Sequence, residues 1–314
     1  MRSAAFAAAA LLTAAGALCQ TFPTRPIHIV VPNPPGGTVD LVARAIAPAL
    51  EALGQPVVVD LKPGGNSIIG LNTAARATAD GHTLVMATSA LVTLPLLSKL
   101  PFDGLNAFAP IAGIASTPNV FAVHPSLDAS SLEELVALSR RAPLNCATAQ
   151  PASSIHLSAE RFKLLSHAEL NLVPYQGGIQ AVHAAVGGHA AVVFAPLSDV
   201  LPHIASGRLR AIAVSSPQRH PSLPQVPTIA ESGYAGFQAV QWFGIAAPAG
   251  TPQPVIDRLA VTILRAVDSP EVRARLASLG IQPMPLGQEA FANHMRAESR
   301  TFAEVLRVTG IKAE

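Results

Sequence analysis

The chain has 314 residues, a length that predicts two domains. Its net charge is only +2, from 21 Lys and Arg against 19 Asp and Glu, and the basic residues form no run. We therefore expect no nucleic-acid partner, because such proteins usually carry a clustered basic surface. Hydrophobic residues make up 50% of the chain and charged residues 13%. A chain of this composition can bury a large apolar core, which excludes a disordered protein.

The N-terminus has the features of a secretory signal peptide. Arg2 is followed by a short, alanine-rich apolar stretch with small residues near its end. We predict that residues 1–19 are removed and that the protein is exported to the periplasm. Cleavage after Ala17 and lipid attachment at Cys19 are the two alternatives. No later apolar run approaches the roughly 18 residues of a membrane span, so we expect a soluble mature protein.

Cys146 is the single thiol that remains after removal of the signal peptide. One cysteine forms no internal disulfide and no pair of metal ligands. Cys146 lies in an apolar stretch, so we interpret it as a small buried residue and not as a reactive thiol.

Strand-like and helix-like segments alternate from the start of the mature chain. The first predicted strands span residues 27–31, 57–59 and 83–87, which are rich in apolar and β-branched residues. Predicted helices follow the first two strands, one with Thr38 as its N-cap and one over residues 68–77. This order is a βαβαβ unit, which requires right-handed crossovers and a mostly parallel sheet.

The middle of the chain repeats this plan without a residue-level repeat. Its predicted elements are strands over residues 120–123, 145–148, 170–173, 190–194 and 209–214, and helices over residues 131–141, through Leu157 and Phe162, and over residues 179–186. A further strand over residues 241–246 precedes predicted helices over residues 254–266, 270–279 and 288–309. We therefore predict two α/β units and a C-terminal part that can belong to either unit.

Four breaks rich in Gly or Ser each join a strand to a helix, at residues 35–38, 63–67, 150–154 and 176–178. Each leaves backbone N–H groups free at a helix N-terminus, where the helix dipole adds partial positive charge. Such an end binds an anion without Arg or Lys. Because these loops gather at the carboxyl ends of the strands, we predict an anion-binding cleft between the two units. For any one loop alone, a simple tight turn is the alternative interpretation.

The motifs of the common enzyme classes do not occur, and this predicts a protein without catalytic activity. The sequence lacks G-x-G-x-x-G, G-x-x-x-x-G-K, G-x-S-x-G and H-E-x-x-H. Ser153 and His156 resemble a Ser/His pair, but no acid partner can be assigned to them. We interpret His183 and His189 as surface or helix residues, and we expect no metal and no cofactor. Asp40 lies in the first turn of its helix, where a structural role suffices to explain a carboxylate, and a direct contact with the ligand is the alternative.

Two segments near the start of the mature chain read PNPPGGTVDLVAR at residues 32–44 and DLKPGGNSIIG at residues 60–70. They resemble the Bug-type solute-binding proteins, the extracytoplasmic receptors of tripartite tricarboxylate transporters. Further matching segments are residues 79–84 (ADGHTL), 155–160 (IHLSAE), 173–178 (VPYQGG), 224–233 (PQVPTIAESG), 242–244 (WFG) and 247–252 (APAGTP). The order and spacing of these segments make the resemblance specific, and it covers nearly the whole mature chain.

The resemblance implies an α/β, two-domain periplasmic-binding-protein-like fold of type II, with mixed sheets, flanking helices and an interdomain cleft. Residues 20–121 would form the first part of domain 1, residues 122–240 domain 2, and residues 241–314 the return to domain 1 with the C-terminal helices. By position, the implied ligand contacts are Gly36, Gly37, Thr38, Gly64, Gly65, Asn66, Ser67, Ser89, Ser153, Ser154, Tyr175, Gly177 and Gly178.

The function that the resemblance implies is the capture of a small carboxylate-containing solute, an organic acid or an amino acid, by domain closure. The partners would be this solute and the membrane subunits of a tripartite tricarboxylate-type transporter, and we expect a monomer. Two alternatives remain at this point: an exported α/β enzyme that acts on a carboxylate, and a ligand sensor for a membrane signalling protein.

Several positions differ from the usual pattern of this family. Leu61 replaces an Asn, and Asn66 and Ser67 replace paired glycines. Gln176 stands where a basic residue is common, and Ala191 where an Asp is common. These changes bear on the size and polarity of the ligand, so the resemblance does not identify the solute.

Overall fold

The computed structural model describes residues 22–151 and 153–310. The predicted signal peptide over residues 1–19, with its cleavage point and Cys19, lies outside the described residues. None of the helices in these two ranges is both long and apolar enough to cross a membrane.

Strands and helices alternate along the described ranges. The strands are β1 (Ile27–Val31), β2 (Val57–Leu61), β3 (Thr83–Ala87), β4 (Phe108–Val123), β5 (Leu144–Thr148), β6 (Leu170–Pro174), β7 (Val192–Pro196), β8 (Arg210–Val214), β9 (Val240–Pro248) and β10 (Gln282–Leu286). The helices are α1 (Thr38–Leu50), α2 (Ile68–Ala75), α3 (Ala90–Leu97), α4 (Leu132–Arg141), α5 (Ser154–Ser166), α6 (Gly178–Val186), α7 (Leu197–Ala205), α8 (Gln253–Asp268), α9 (Pro270–Ser278) and α10 (Gln288–Thr309).

The strands form two mixed sheets that share the long strand β4. The first sheet has the order β2-β1-β3-β9-β4-β10, in which β1 is parallel to both β2 and β3 and the remaining pairs are antiparallel. The second sheet has the order β6-β5-β7-β4-β8, in which β5 is parallel to both β6 and β7. Each half therefore contains the set of three parallel strands that a βαβαβ unit requires.

The chain passes between the sheets at Asn119. Residues of β4 before Asn119 pair with β9, and those from Asn119 onward pair with β7 and β8. Ser215 Oγ accepts a hydrogen bond from the Asn119 N–H at 2.8 Å and donates to the Ala239 carbonyl at 2.5 Å, while Asn119 Nδ2 donates to that carbonyl at 3.0 Å. These bonds tie both crossing segments together at one buried point. The predicted domain boundaries, after residues 121 and 240, lie close to this point and stay a prediction.

Apolar spacing explains how α1 packs. Val39, Val42, Ile46 and Leu50 recur at intervals of three and four residues, so they share one face of the helix. All four are buried in a cluster with side chains of β1 and α8. Burial of each such side chain stabilises the fold by about 1.5–3 kcal/mol, which fixes α1 against the first sheet.

Phenylalanines fill the core of the second half. The ring centroids of Phe121 and Phe194 are 4.4 Å apart, and those of Phe121 and Phe162 are 4.7 Å apart. Cys146 is fully buried in the same cluster, and burial raises the pKa of its thiol to about 12. A thiol in this state is not a nucleophile near neutral pH, which supports the interpretation of Cys146 as a core residue.

Candidate ligand-binding cleft

A cavity of about 660 Å³ lies at the carboxyl ends of the parallel strands of both sheets. Six strand-to-helix junctions line it, three after β1, β2 and β3 and three after β5, β6 and β7. Gln241 and Phe243 of β9 complete the lining. This edge is where ligands bind in open α/β sheets. All four junctions that the sequence singled out for their Gly and Ser residues are among the six.

Most helix N-termini at the cavity have no side-chain cap. The N-cap residues of α1, α2, α3, α6 and α7 make no side-chain cap hydrogen bond, although the first N–H of α3, at Ala90, donates to Thr88 Oγ1 at 3.3 Å. The N-cap of α1 is Gly37 and not Thr38 as predicted. Away from the cavity, Ser131 and Ser269 cap α4 and α9, whereas α8 and α10 also have no side-chain cap. Uncapped N–H groups and the dipoles of their helices favour an anion in the cavity.

Nearly all of the residues predicted to contact the ligand line the cavity. They are Gly37, Thr38, Gly64, Gly65, Asn66, Ser67, Ser89, Ser153, Ser154, Gly177 and Gly178. Gly36 and Tyr175 are not part of the lining. The Gly36 N–H donates to Asp40 Oδ2 at 2.9 Å, and Tyr175 packs against an apolar cluster of the second half. The ligand contacts themselves stay a prediction.

The junction after β2 has a left-handed backbone over four consecutive residues. The φ angles are 121° at Gly64, 54° at Gly65, 51° at Asn66 and 73° at Ser67. Glycine adopts this region freely and asparagine tolerates it, whereas serine is strained there. Strain of this kind concentrates at ligand-binding loops.

Two hydroxyl groups form a first hydrogen bond between the two sides of the cavity. The hydroxyl oxygens of Ser89, before α3, and Ser154, at the start of α5, are 2.7 Å apart, and both residues are buried. Ser154 Oγ also lies 3.0 Å from Gln241 Oε1, to which it donates a hydrogen bond. One loop of each sheet and the crossing strand β9 therefore meet in one short chain of hydrogen bonds.

A second contact across the cavity involves Asp199, on α7. Thr38 Oγ1 donates to Asp199 Oδ1 at 3.3 Å and lies 3.0 Å from Ser198 Oγ. Burial raises the pKa of Asp199 to about 6, and the hydrogen bonds from Thr38 and Ser198 oppose this shift. Asp199 was not among the predicted site residues, because α7 was not predicted from the sequence.

Asp40 is held by residues next to it in the chain. Its Oδ1 accepts a hydrogen bond from Arg44 Nε at 2.7 Å, and its Oδ2 accepts the one from the Gly36 N–H. Asp40 is buried and does not line the cavity. This geometry supports the structural interpretation of Asp40, because both of its oxygens are occupied.

Ser153 and His156 do not form a nucleophile–base pair. Ser153 Oγ donates to the Gln150 carbonyl at 2.6 Å and accepts from the backbone N–H of His156 at 3.2 Å, as an N-cap does. The His156 ring bonds instead to Thr148 Oγ1 at 2.9 Å, and burial lowers its pKa to about 4. In the part of the chain that the structure describes, no cluster of His, Cys, Asp or Glu could hold a metal ion.

Two α/β halves joined by crossing strands, with a cavity lined by helix N-termini between them, are typical of a solute-binding protein. The model of the family described as "Tripartite tricarboxylate transporter family receptor" matches residues 42–310. The chain belongs to this family of receptors.

Relatives and solved structures are similar over nearly the whole chain. Protein BugT of Bordetella pertussis is 37% identical over 305 residues, which cover 95% of this chain and 94% of BugT. The structure of R. palustris Rpa4515 with adipate matches with a TM-score of 0.86 and 31% identity, over 93% of this chain and 99% of that one. The periplasmic binding protein BugD matches with a TM-score of 0.83 and 29% identity, over 93% of this chain and 100% of that one.

These similarities confirm two predictions from the sequence. The family is the predicted one, and the fold is the predicted α/β periplasmic-binding-protein fold. The chain is a solute-binding receptor and not an enzyme, and its family is periplasmic.

Proposed function

We propose that the protein captures a small carboxylate-containing solute, an organic acid or an amino acid, in the cavity between its two halves. A signal peptide over residues 1–19 directs it to the periplasm, where it acts as a monomer. Its closed form is recognised by the membrane subunits of a tripartite tricarboxylate-type transporter. The solute favours that form because it binds the closed protein more tightly than the open one.

The observation that carries this proposal is the chemistry of the cavity lining. Five uncapped helix N-termini converge on the cavity. The described lining residues supply hydroxyl and amide groups, but no Lys, Arg or His. Backbone N–H and hydroxyl groups bind a carboxylate through charge-assisted hydrogen bonds without a counter-cation. The contacts of Ser89 with Ser154 and of Thr38 with Asp199 bring the two sides close enough to enclose such a solute.

The comparisons support the same class of solute. Rpa4515 was solved with adipate, a dicarboxylate, and its fold matches 93% of this chain. The description of the family supports a tripartite transporter as the partner.

A thermal-shift screen of the mature protein tests the proposal. The protein is unfolded and refolded first to remove bound solute, and is then screened against di- and tricarboxylates, aromatic acids and amino acids. A ligand at 100 times its dissociation constant adds about 2.7 kcal/mol, which raises the midpoint by roughly 5 °C. We expect one chemical class to give this shift and to be recovered unchanged. If no acid shifts the midpoint, the proposal is wrong.

Gly178→Val is the matched variant for this screen. A Cβ at Gly178 would clash with Asp199 Oδ2 and would lie 2.9 Å from Pro196 Cδ, so the substitution displaces the cavity wall. We expect a cooperatively folded variant whose midpoint the acid no longer raises. A shift as large as that of the wild type would show that the acid binds elsewhere.

A further inference from the structure

Asp199 is the one charged side chain among the described residues that line the cavity. It lies in the first turn of α7, directly after β7. Its Oδ1 accepts hydrogen bonds from Thr38 at 3.3 Å and from Ser198 at 3.4 Å. From the described residues, no hydrogen bond reaches Oδ2. One oxygen of this carboxylate is therefore left for a donor that the ligand supplies.

The free oxygen lies at the wall of the cavity, beside the start of α6. Gly178 is the first residue of that helix and also lines the cavity. A Cβ at Gly178 would clash with Asp199 Oδ2, so the absence of a side chain there is what leaves room for this oxygen. Thr38, on the other side of the cavity, holds the second oxygen in place.

The charge of Asp199 has no cationic partner within the described lining. Burial raises the pKa of Asp199 only to about 6, so the group is largely ionised above neutral pH. A half-buried carboxylate without a cation is unfavourable, and it repels a second carboxylate that a ligand brings close to it. A positively charged nitrogen on the ligand removes both penalties.

We infer that Asp199 determines the class of solute, by binding a cationic nitrogen while the solute carboxylate is bound at uncapped helix N-termini elsewhere in the cavity. This inference rests on the proposed function, because it requires a carboxylate solute. It narrows that function to amino-carboxylates and disfavours dicarboxylates.

Isothermal titration calorimetry of the refolded protein near pH 7.5 tests this inference with matched compounds. Each set has one chain length of four to six carbons and contains the monocarboxylate, the dicarboxylate, and the amino acids with the amino group at the α or the ω carbon. We expect one of the amino acids to bind about 10- to 100-fold more tightly than the monocarboxylate and the dicarboxylate of its set. The inference is overturned if a monocarboxylate or a dicarboxylate binds at least as tightly as every amino acid.

Asp199→Asn and Asp199→Ser show whether this preference depends on the carboxylate. Both variants remove the charge, and serine also removes most of the side chain, so at least one of them should fold. We expect the preference for the amino acid to fall below about threefold in a folded variant, while monocarboxylate affinity changes little. A preference that survives both substitutions would also overturn the inference.

The pH dependence separates a cationic ligand from a protonated Asp199 that donates to a ligand carboxylate. Between about pH 8 and pH 5, protonation of Asp199 should weaken amino-acid binding about tenfold, whereas a protonated donor would tighten carboxylate binding. The other titratable side chains of α1, α6 and α7 are Asp40, Arg44, His183 and His203. Asp199→Asn retains all four of these groups. The pH dependence of amino-acid binding to this variant therefore measures their effect, which is subtracted from that of the wild type.

The outcomes for Asp199 and for the proposed function are distinguishable. If dicarboxylates bind and amino acids do not, the carboxylate receptor stands and the role of Asp199 is wrong. If no compound of any set binds, and the thermal-shift screen is also negative, the proposed function fails and this inference fails with it.

Discussion

The hydroxyl oxygen of Ser89 lies 2.7 Å from that of Ser154, although the two residues belong to loops of different sheets. Ser89 follows β3 of the first sheet, and Ser154 begins α5 after β5 of the second. Ser154 also donates to Gln241 on β9, one of the segments that connect the two halves. This contact stabilises the form of the protein in which the two sides of the cavity are close together.

Removal of the Ser154 hydroxyl should weaken solute binding. We expect Ser154→Ala to lower affinity about 5- to 10-fold, because a hydrogen bond worth about 1 kcal/mol no longer joins the two sides. Calorimetry measures the change. Ser166→Ala is the control, since the buried Ser166 hydroxyl bonds to the Phe162 carbonyl at 2.7 Å within α5. The control should lose stability and keep its affinity, and unchanged affinity in Ser154→Ala would contradict the role of this contact.

A large side chain at Gly37 should abolish binding without unfolding the protein. A Cβ at Gly37 meets no atom closer than the Pro34 carbonyl oxygen at 3.5 Å, so the protein itself tolerates one. Gly37 lines the cavity, where we propose that its backbone approaches the solute. We expect Gly37→Leu to keep its melting temperature within a few degrees and to lose at least about 100-fold in affinity.

Gly287→Leu is the matched control for Gly37→Leu. Both glycines are helix N-caps with extended backbone, and Gly287 does not line the cavity. The control should bind like the wild type. Equal affinity in both variants would show that the solute does not approach the start of α1.

Ser67→Gly should stabilise the protein. Ser67 has a φ of 73°, which strains an L-residue, and glycine relieves that strain at some cost in chain entropy. We expect a gain of about 0.5 kcal/mol in the free energy of unfolding, measured with urea. Ser98→Gly is the control, because Ser98 has an extended φ of −139° and glycine should destabilise that position. A loss of stability in Ser67→Gly like that of the control would contradict the strain.

Glu298 should make stability depend on pH. Glu298 accepts a hydrogen bond from Trp242 Nε1 at 2.5 Å, and burial raises its pKa to about 8 from the usual 4.5, which that hydrogen bond opposes. The folded state therefore binds the proton more tightly than the unfolded state, so stability is lost as the pH rises from about 4.5 to about 8. Glu298→Gln keeps an acceptor for Trp242 and has no charge to desolvate.

The difference in stability between Glu298→Gln and the wild type measures this effect. We expect it to grow from near zero at about pH 4.5 to about 2 kcal/mol in favour of the variant at about pH 8.5. This is less than the full pKa shift implies at about 1.4 kcal/mol per pKa unit, because Glu298 is only half-buried and solvent screens its charge. Urea denaturation at several pH values gives the difference. A difference that does not vary with pH would contradict a buried carboxyl with a raised pKa.

Much of the cleft was predictable from local sequence. The breaks at residues 35–38, 63–67, 150–154 and 176–178 contain Gly or Ser directly after apolar strands, and all four line the cavity. Their clustering follows from the parallel arrangement of the strands, which places all of their carboxyl ends at one edge.

The junction after β7 was not predicted, because β7 runs directly into α7. Pro196 ends the strand and is also the N-cap, so no Gly or Ser break separates the two elements. Pro202 lies inside α7 and makes the helix harder to predict, since proline is rarely found in a helix interior. Asp199, the one charged residue of the described lining, was missed for this reason. The signal that was present is an acidic residue in the first turn after a strand.

The other elements that were not predicted from the sequence are β10, the first part of β4 and α3. β10 contains Pro283 and Pro285, and it pairs with β4 as an edge strand, where proline is tolerated. The first part of β4 contains Pro110 and Gly113, and its register shifts there, so its alternation is broken. α3 carries Pro95 and has no amphipathic pattern to mark it. Long-range pairing, and not local sequence, determines these elements.

Calorimetry with an acid and its fully esterified methyl ester tests most directly whether the cleft recognises a carboxylate. The acid is the one that gives the largest thermal shift, and the protein is refolded beforehand. The ester keeps the shape of the solute and loses its negative charge, so the uncapped helix N-termini have no anion to bind. We predict that one molecule of the acid binds to each protein molecule, and that the ester binds at least about 100-fold more weakly. An ester that binds within about threefold of the acid would contradict carboxylate recognition by this cleft.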